Sequence, residues 1–228
     1  MNWFVPLFLF ISSLSFSTKS PLDGVEWVPT KVREGVSLYR GKVNGSDVVA
    51  FKGSGHVDTP PWKLAAILLD AKRAPEWVDS LGSSKILRRL SPTSFIEYNH
   101  IETPFVMKDR DFVSFVQIEL DMTERSMALR YHPTDDALVP QTHHIRGEIV
   151  HALFKIQATG NPERTLLTAE MHADPKGSVP VWIVNLFQKN WPVNTFNAIR
   201  MQVKKPDIGI AAEFKTIVLQ MKAITSTL

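Results

Sequence analysis

The sequence predicts an α+β fold in which a curved antiparallel sheet wraps around one long C-terminal helix, and three observations predict it. From about Asp174 to Val203, proline, glycine and serine punctuation gives way to apolar residues at three- and four-residue steps, the mark of a helix. Upstream, several segments alternate apolar and polar residues with a period of two, as half-buried strands do. Strands and helices are also segregated along the chain: strands, two short helices, a further run of about six strands, then the long helix. A sheet of that kind must bury its apolar face on something, and the long helix is the only large apolar object left.

In the helical stretch, Asp174, Pro175 and Gly177 end the preceding strand, Ser178 stands where an N-cap is expected, and Pro180 falls in the first turn. A helix over Ser178 to Val203 would extend roughly 39 Å at ~1.5 Å per residue. Val179, Trp182, Ile183, Leu186, Asn190, Val193, Asn197 and Met201 share one face. The two asparagines leave two readings open: a core helix kinked at Pro192, or a lid whose inner face meets a ligand.

Taken in order, Trp27–Val28 and Val36 to Val43 read as short strands, with Asn44–Gly45 as a hairpin signal and Val48 to Phe51 pairing back. Asn44-Gly45-Ser46 is also a glycosylation acceptor sequence, although a hairpin accounts for Asn-Gly. Thr59-Pro60-Pro61 opens a helix carrying Trp62, Leu64, Ala65, Ile67, Leu68 and Leu69 that ends before Pro75, and a second short turn holds Glu76 to Val78. Four alternations then follow. Ile96, Tyr98 and His100 oppose Glu97 and Asn99; Phe112, Val116, Ile118 and Leu120 oppose Gln117 and Glu119; Met127, Leu129 and Tyr131 oppose Ala128 and Arg130; and Leu167, Ala169, Met171 and Ala173 oppose Thr168, Glu170 and His172. Between the last two, Val150, Ala152, Phe154 and Ile156 mark a further strand.

With 228 residues, the chain reads as one globular domain over 18–205, preceded by a leader over 1–17 and followed by a helical extension over 206–228. Residues 1–18 carry no charged side chain, and their apolar run ends in small residues, with cleavage expected after Ser17. The expected location is therefore periplasmic or secreted, although the leader lacks a basic n-region; an uncleaved anchor is the other reading. A net charge of +3 with scattered basic residues excludes a nucleic-acid footprint but allows contact with an anionic membrane surface. The absence of cysteine excludes disulfides, thiolate catalysis and thiolate metal sites.

Catalytic and cofactor signals are weak. His143–His144 suggests a metal, but adjacent strand histidines point to opposite faces and no third ligand stands at a useful spacing, so no metal or cofactor is expected. No Gly-x-Ser-x-Gly elbow occurs, and Gly53-Ser54-Gly55 lacks the rest of a phosphate loop. Trp77 reads as a packing anchor, and Arg110–Asp111 as a pair bracing a strand against a loop.

Three stretches taken together, however, resemble the START family, the steroidogenic acute regulatory protein-related lipid transfer domains, of a single-domain bacterial type. They are Asp70-Ala71-Lys72-Arg73-Ala74-Pro75-Glu76-Trp77, Lys108-Asp109-Arg110-Asp111-Phe112-Val113, and Asp174-Pro175-Lys176-Gly177 through Pro180, Trp182, Val184 and Asn185, in family order across about 30–205. The resemblance implies a helix-grip fold with a hydrophobic tunnel closed by the terminal helix and a neighbouring loop, and one lipid or other apolar molecule bound per domain. No N-terminal helix is evident before Trp27, and the chain runs past the family's usual end.

Inner strand positions and the helix stripe select Ile96, Tyr98, Phe112, Leu129, Met171, Trp182, Ile183 and Leu186 as the cavity wall, with Asn190, Arg130 and His100 as polar anchors. The expected function is a monomeric, non-catalytic lipid carrier that touches membranes transiently. The gate would be the terminal helix, flexing at Pro192, or the loop around Pro133 to Pro140. Two alternatives remain: a polyketide cyclase-like enzyme using Tyr98, His100 or Arg130 in the same pocket, and a ligand-gated interaction module.

Overall fold

A computed structural model of the chain describes residues 25–103, 107–134 and 139–225. The leader expected over 1–17 lies outside them. Ten strands form one sheet: β1 (Trp27–Arg33), β2 (Val36–Gly41), β3 (Ala50–Val57), β4 (Leu81–Ser91), β5 (Ser94–Ile101), β6 (Arg110–Asp121), β7 (Ser126–Pro133), β8 (Ile145–Arg146), β9 (Glu148–Ala158) and β10 (Thr165–Asp174). Their order is β1-β2-β3-β10-β9-β7-β6-β5-β4, antiparallel throughout, with β8 added alongside β6 in parallel. The helices are α1 (Pro61–Leu68), α2 (Val181–Gln202) and α3 (Lys215–Thr225). This is the α+β, helix-grip arrangement that the sequence predicts.

Several boundaries differ from the sequence reading, each for a local reason. The tight two-residue hairpin is Glu34–Gly35, where both residues take positive φ, 52° and 72°; the connection through Asn44–Gly45 is longer. Helix α1 stops at Leu68 because Asp70 caps a separate 3₁₀ turn, its carboxylate accepting the Arg73 amide. Strand β4 escaped the sequence reading because Lys85, Arg88 and Arg89 mask its alternation, a common dress for an edge strand. Helix α2 starts after Pro180 rather than at Ser178, and no side chain caps it.

Helix α2 lies on the sheet through its C-terminal half. Val193, Phe196, Ile199 and Val203 are buried there, and β3 presents Gly53 and Gly55 beneath them. A Cβ on Gly53 would meet the Pro192 ring at 2.8 Å, and one on Gly55 would meet the Gly35 carbonyl at 2.7 Å and Phe196 at 3.2 Å. The two glycines let helix and sheet touch.

Residues 206–225 dock on the body. Phe214, Ile217, Val218 and Met221 are buried against α1 and the sheet, and Phe95 faces Phe214 at 5.2 Å. Arg89 donates to the Glu213 carbonyl at 2.8 Å. This segment fills the end of the sheet opposite the cavity described next.

Candidate functional site

The inner row of each central strand is solid core at one end and borders open space at the other. Along β5, Phe95 is packed whereas Glu97, Asn99 and Ile101 face a cavity; along β7, Met127 and Leu129 are packed whereas Tyr131 is at the wall. Along β9, Ile156 is packed whereas Ala152 and Phe154 border the cavity, and along β10, Leu167 and Ala169 are packed whereas Met171 and Ala173 border it. Helix α2 spans this region with Gln188, Trp191 and Thr195 on the lining.

The hollow has two adjoining compartments of about 300 and 510 Å³, within the size range of small-molecule sites. Asp79, Ile101, Phe112, Ala173, Gln188 and Trp191 border both. The outer one is also lined by Thr103, Met107, Arg110, Ile183, Val184 and Asn190. Phe154 centres an aromatic cluster in the inner one, edge-on to Trp77 at 6.2 Å, to Tyr131 at 6.3 Å and to Trp191 at 6.0 Å.

Polar groups on this wall are few and specific. Glu97 accepts hydrogen bonds from Asn99 Nδ2 at 2.9 Å and Ser84 Oγ at 3.4 Å, and burial pushes its carboxyl up to about 7. Burial, with Glu97 beside it, raises the Tyr131 phenol well above its usual range. Trp77 Nε1, Gln188 Oε1 and Thr103 Oγ1, all on residues that line the hollow, are buried with no hydrogen-bond partner among the described residues. Buried polar atoms without partners are costly unless something satisfies them, so these three favour a guest with polar groups of its own.

The structure places four of the eleven sequence-selected residues on the cavity: Phe112, Met171, Ile183 and Asn190. The others lie elsewhere. Ile96 and Tyr98 face the opposite side of β5, in a small cluster with Val113, Leu87, Phe115 and Val139, and His100 is there too, bonded to Asp109. Leu129 is solid core, and Arg130 points outward to pair with Glu119 at 2.9 Å. Trp182 and Leu186 are 68% and 53% exposed on the outside of α2. The β5 error is one of phase: both faces of that strand are covered, so apolar residues mark the outer layer and polar ones the cavity. Phe95, in phase with Glu97 and Asn99, is the sequence signal that points the other way.

Of the loop expected as a gate, the described residues at its C-terminal end sit away from the hollow. Pro140 and Val139 lie on the outer side of β5 and β6, with Arg146 donating to the Pro140 carbonyl. Among the described residues, the connections that flank the cavity include the one from β5 to β6, through Glu102, Thr103 and Met107, and the one from β10 to α2, through Pro175 and Val179. Asp111 does brace a strand, as expected: it is fully buried, and despite burial Arg146 at 2.6 Å and Thr142 at 2.5 Å hold its carboxyl below the usual range. Arg110 departs from that pairing and lines the outer compartment.

A family model described as START domain matches residues 14–206. An uncharacterized protein of Pseudomonas aeruginosa is 25% identical over 181 residues, 79% of this chain and 88% of that protein. The crystal structure of human STARD10 superposes with a TM-score of 0.71 at 20% identity, covering 85% of this chain and 77% of that one. That of a STAR-related lipid transfer protein fragment from Xanthomonas axonopodis gives 0.67 at 23%, covering 78% and 99%. These two likenesses show the shared fold.

Proposed function

Because the chain belongs to the START domain family, we propose that it binds one lipid or other hydrophobic molecule in the hollow under α2 and carries it between membranes, as a monomer and without chemistry of its own. The observation that carries this reading is the wall itself: apolar and aromatic, with a few buried polar atoms lacking protein partners. An acyl chain of about sixteen methylenes moving from water into it gains roughly 13 kcal/mol at ~0.8 kcal/mol each. Release into water is then slow, whereas a bilayer offers the chain an equally apolar home. The protein's work is to open a path.

The moving part under this proposal is the N-terminal half of α2. Its C-terminal half is fixed by Pro192 and Phe196 on Gly53 and Gly55, and by Arg200 donating to the carbonyls of Glu34 and His56. The other half is held by polar contacts, with Asn185 bridging the Val49 amide and the Asp47 carbonyl and Gln188 donating to the Ala173 carbonyl. Val181, Trp182 and Leu186 expose apolar surface there, suited to a membrane interface. Among the described residues no helix is long and apolar enough to cross a membrane. Export through the leader belongs to the same proposal.

Fluorescent-lipid exchange between donor and acceptor vesicles tests the reading. Catalytic amounts of protein should accelerate exchange; a rate equal to spontaneous exchange across neutral and anionic lipids refutes transfer.

A further inference from the structure

On the outer side of β5, away from the cavity lining, three side chains from separate segments converge. His100 closes β5, Asp109 ends the connection to β6, and His144 precedes β8. Their ligand atoms all lie within 4.8 Å of one another. His100 Nε2 is 3.0 Å from Asp109 Oδ2, and the imidazoles of His100 and His144 stack at 4.4 Å with 23° between their planes.

We propose that His100, Asp109 and His144 form a binding site for a divalent transition-metal ion of the zinc class. Two imidazoles and one carboxylate are a donor set that such ions take with an open fourth position, whereas calcium and magnesium prefer oxygen ligands throughout. A tetrahedral ion at ~2.0–2.1 Å from each ligand sets donor atoms about 3.4 Å apart, so side-chain rotation has to draw these three together and turn the stacked imidazoles toward a common point. Imidazole ligates a metal in its neutral form, so the ion competes with protons for His100 and His144. A supporting contact already orients the carboxylate: Asp109 Oδ1 accepts the Thr103 amide at 2.9 Å.

The site's position gives it a consequence. Thr103 and Asp109 both belong to the connection from β5 to β6, whose Glu102, Thr103 and Met107 line the outer compartment. His144 belongs to the strap anchored on Asp111 through Thr142 and Arg146. A bound ion ties the cavity's flanking connection to that strap. The pair His143–His144 therefore carries a metal signal after all, through His144 alone, with its partners brought by the fold from 44 and 35 residues upstream.

Cobalt titration of the untagged full chain, followed by visible absorption and competition with zinc, tests the site. The wild type and His143→Ala should each bind one ion per chain, and bound zinc should slow hydrogen exchange at the Thr103 amide. His144→Ala should weaken binding at least tenfold. Asp109→Asn, which keeps the shape and the Thr103 contact, should do the same with an unchanged melting temperature in the absence of metal. No uptake by the wild type, or equal affinity in His144→Ala and Asp109→Asn, overturns the proposal.

Discussion

Asn99 donates its side-chain amide to Glu97 across 2.9 Å on the inner face of β5, so this buried acid of the cavity wall is held in place by its strand neighbour rather than by a cation. Burial outweighs the two hydrogen bonds it accepts and raises it from 4.5 to about 7. A carboxyl raised in the folded state binds its proton more tightly there than in the unfolded chain. Its contribution is intact below about 4.5 and is lost as pH rises toward about 7. The loss is on the order of 3 kcal/mol at ~1.4 kcal/mol per pH unit. Glu97→Gln should therefore become more stable relative to wild type as pH rises from 4.5 to 7. Paired urea melts across that interval check it; parallel stability curves would contradict it.

The contact between α2 and β3 depends on the absence of a side chain at position 53. A methyl group there would lie 2.8 Å from Pro192 Cβ and 3.2 Å from Val36 Cγ1, so either the helix lifts or the strand bends. Gly53→Ala should cost about 1–3 kcal/mol by overpacking, read as a lower melting temperature. Wild-type stability in this variant would show that the helix rides higher than described.

Residues 206–225 belong to the folded unit. Phe214 is fully buried against Phe95, with the Arg89 guanidinium 4.7 Å from its ring centre. Phe214→Ala should destabilise by about 3–5 kcal/mol, and a chain ending at Lys205 should melt at far lower temperature still. Thermal denaturation measures both.

Trp182 and Leu186 separate docking from folding. Both are exposed, so Trp182→Ala with Leu186→Ala should change stability by less than about 1 kcal/mol. The proposed membrane contact requires the same variant to slow exchange between vesicles severalfold. Unaltered exchange would move the docking surface elsewhere.

The chain's architecture was legible because its signals were redundant. Alternation in β6, β7, β9 and β10, together with the segregated long helix, left little choice about what covers the sheet. The site was less so, because lining a cavity and filling a core call for similar residues. Leu129 and Met171 look alike in sequence, yet only the second lies at the depth where packing stops. Strand β5 misled for another reason: a second layer containing Val139 covers its outer side, so Ile96 and Tyr98 are buried away from the cavity while Glu97 and Asn99 face it. Trp182 and Leu186 share a helical face with Ile183 closely enough that a shift of a fraction of a turn decides which of them points inward.

Ala173 borders both compartments, so a large side chain there obstructs their junction without touching α2's anchor on β3. Native mass spectrometry of the wild type and Ala173→Trp after incubation with lipid vesicles is the most direct test of whether that hollow holds a guest. The wild type should carry one lipid-sized adduct per chain, and Ala173→Trp, folded by circular dichroism, should carry none. Bare mass in the wild type, or an equal adduct in both, would contradict it.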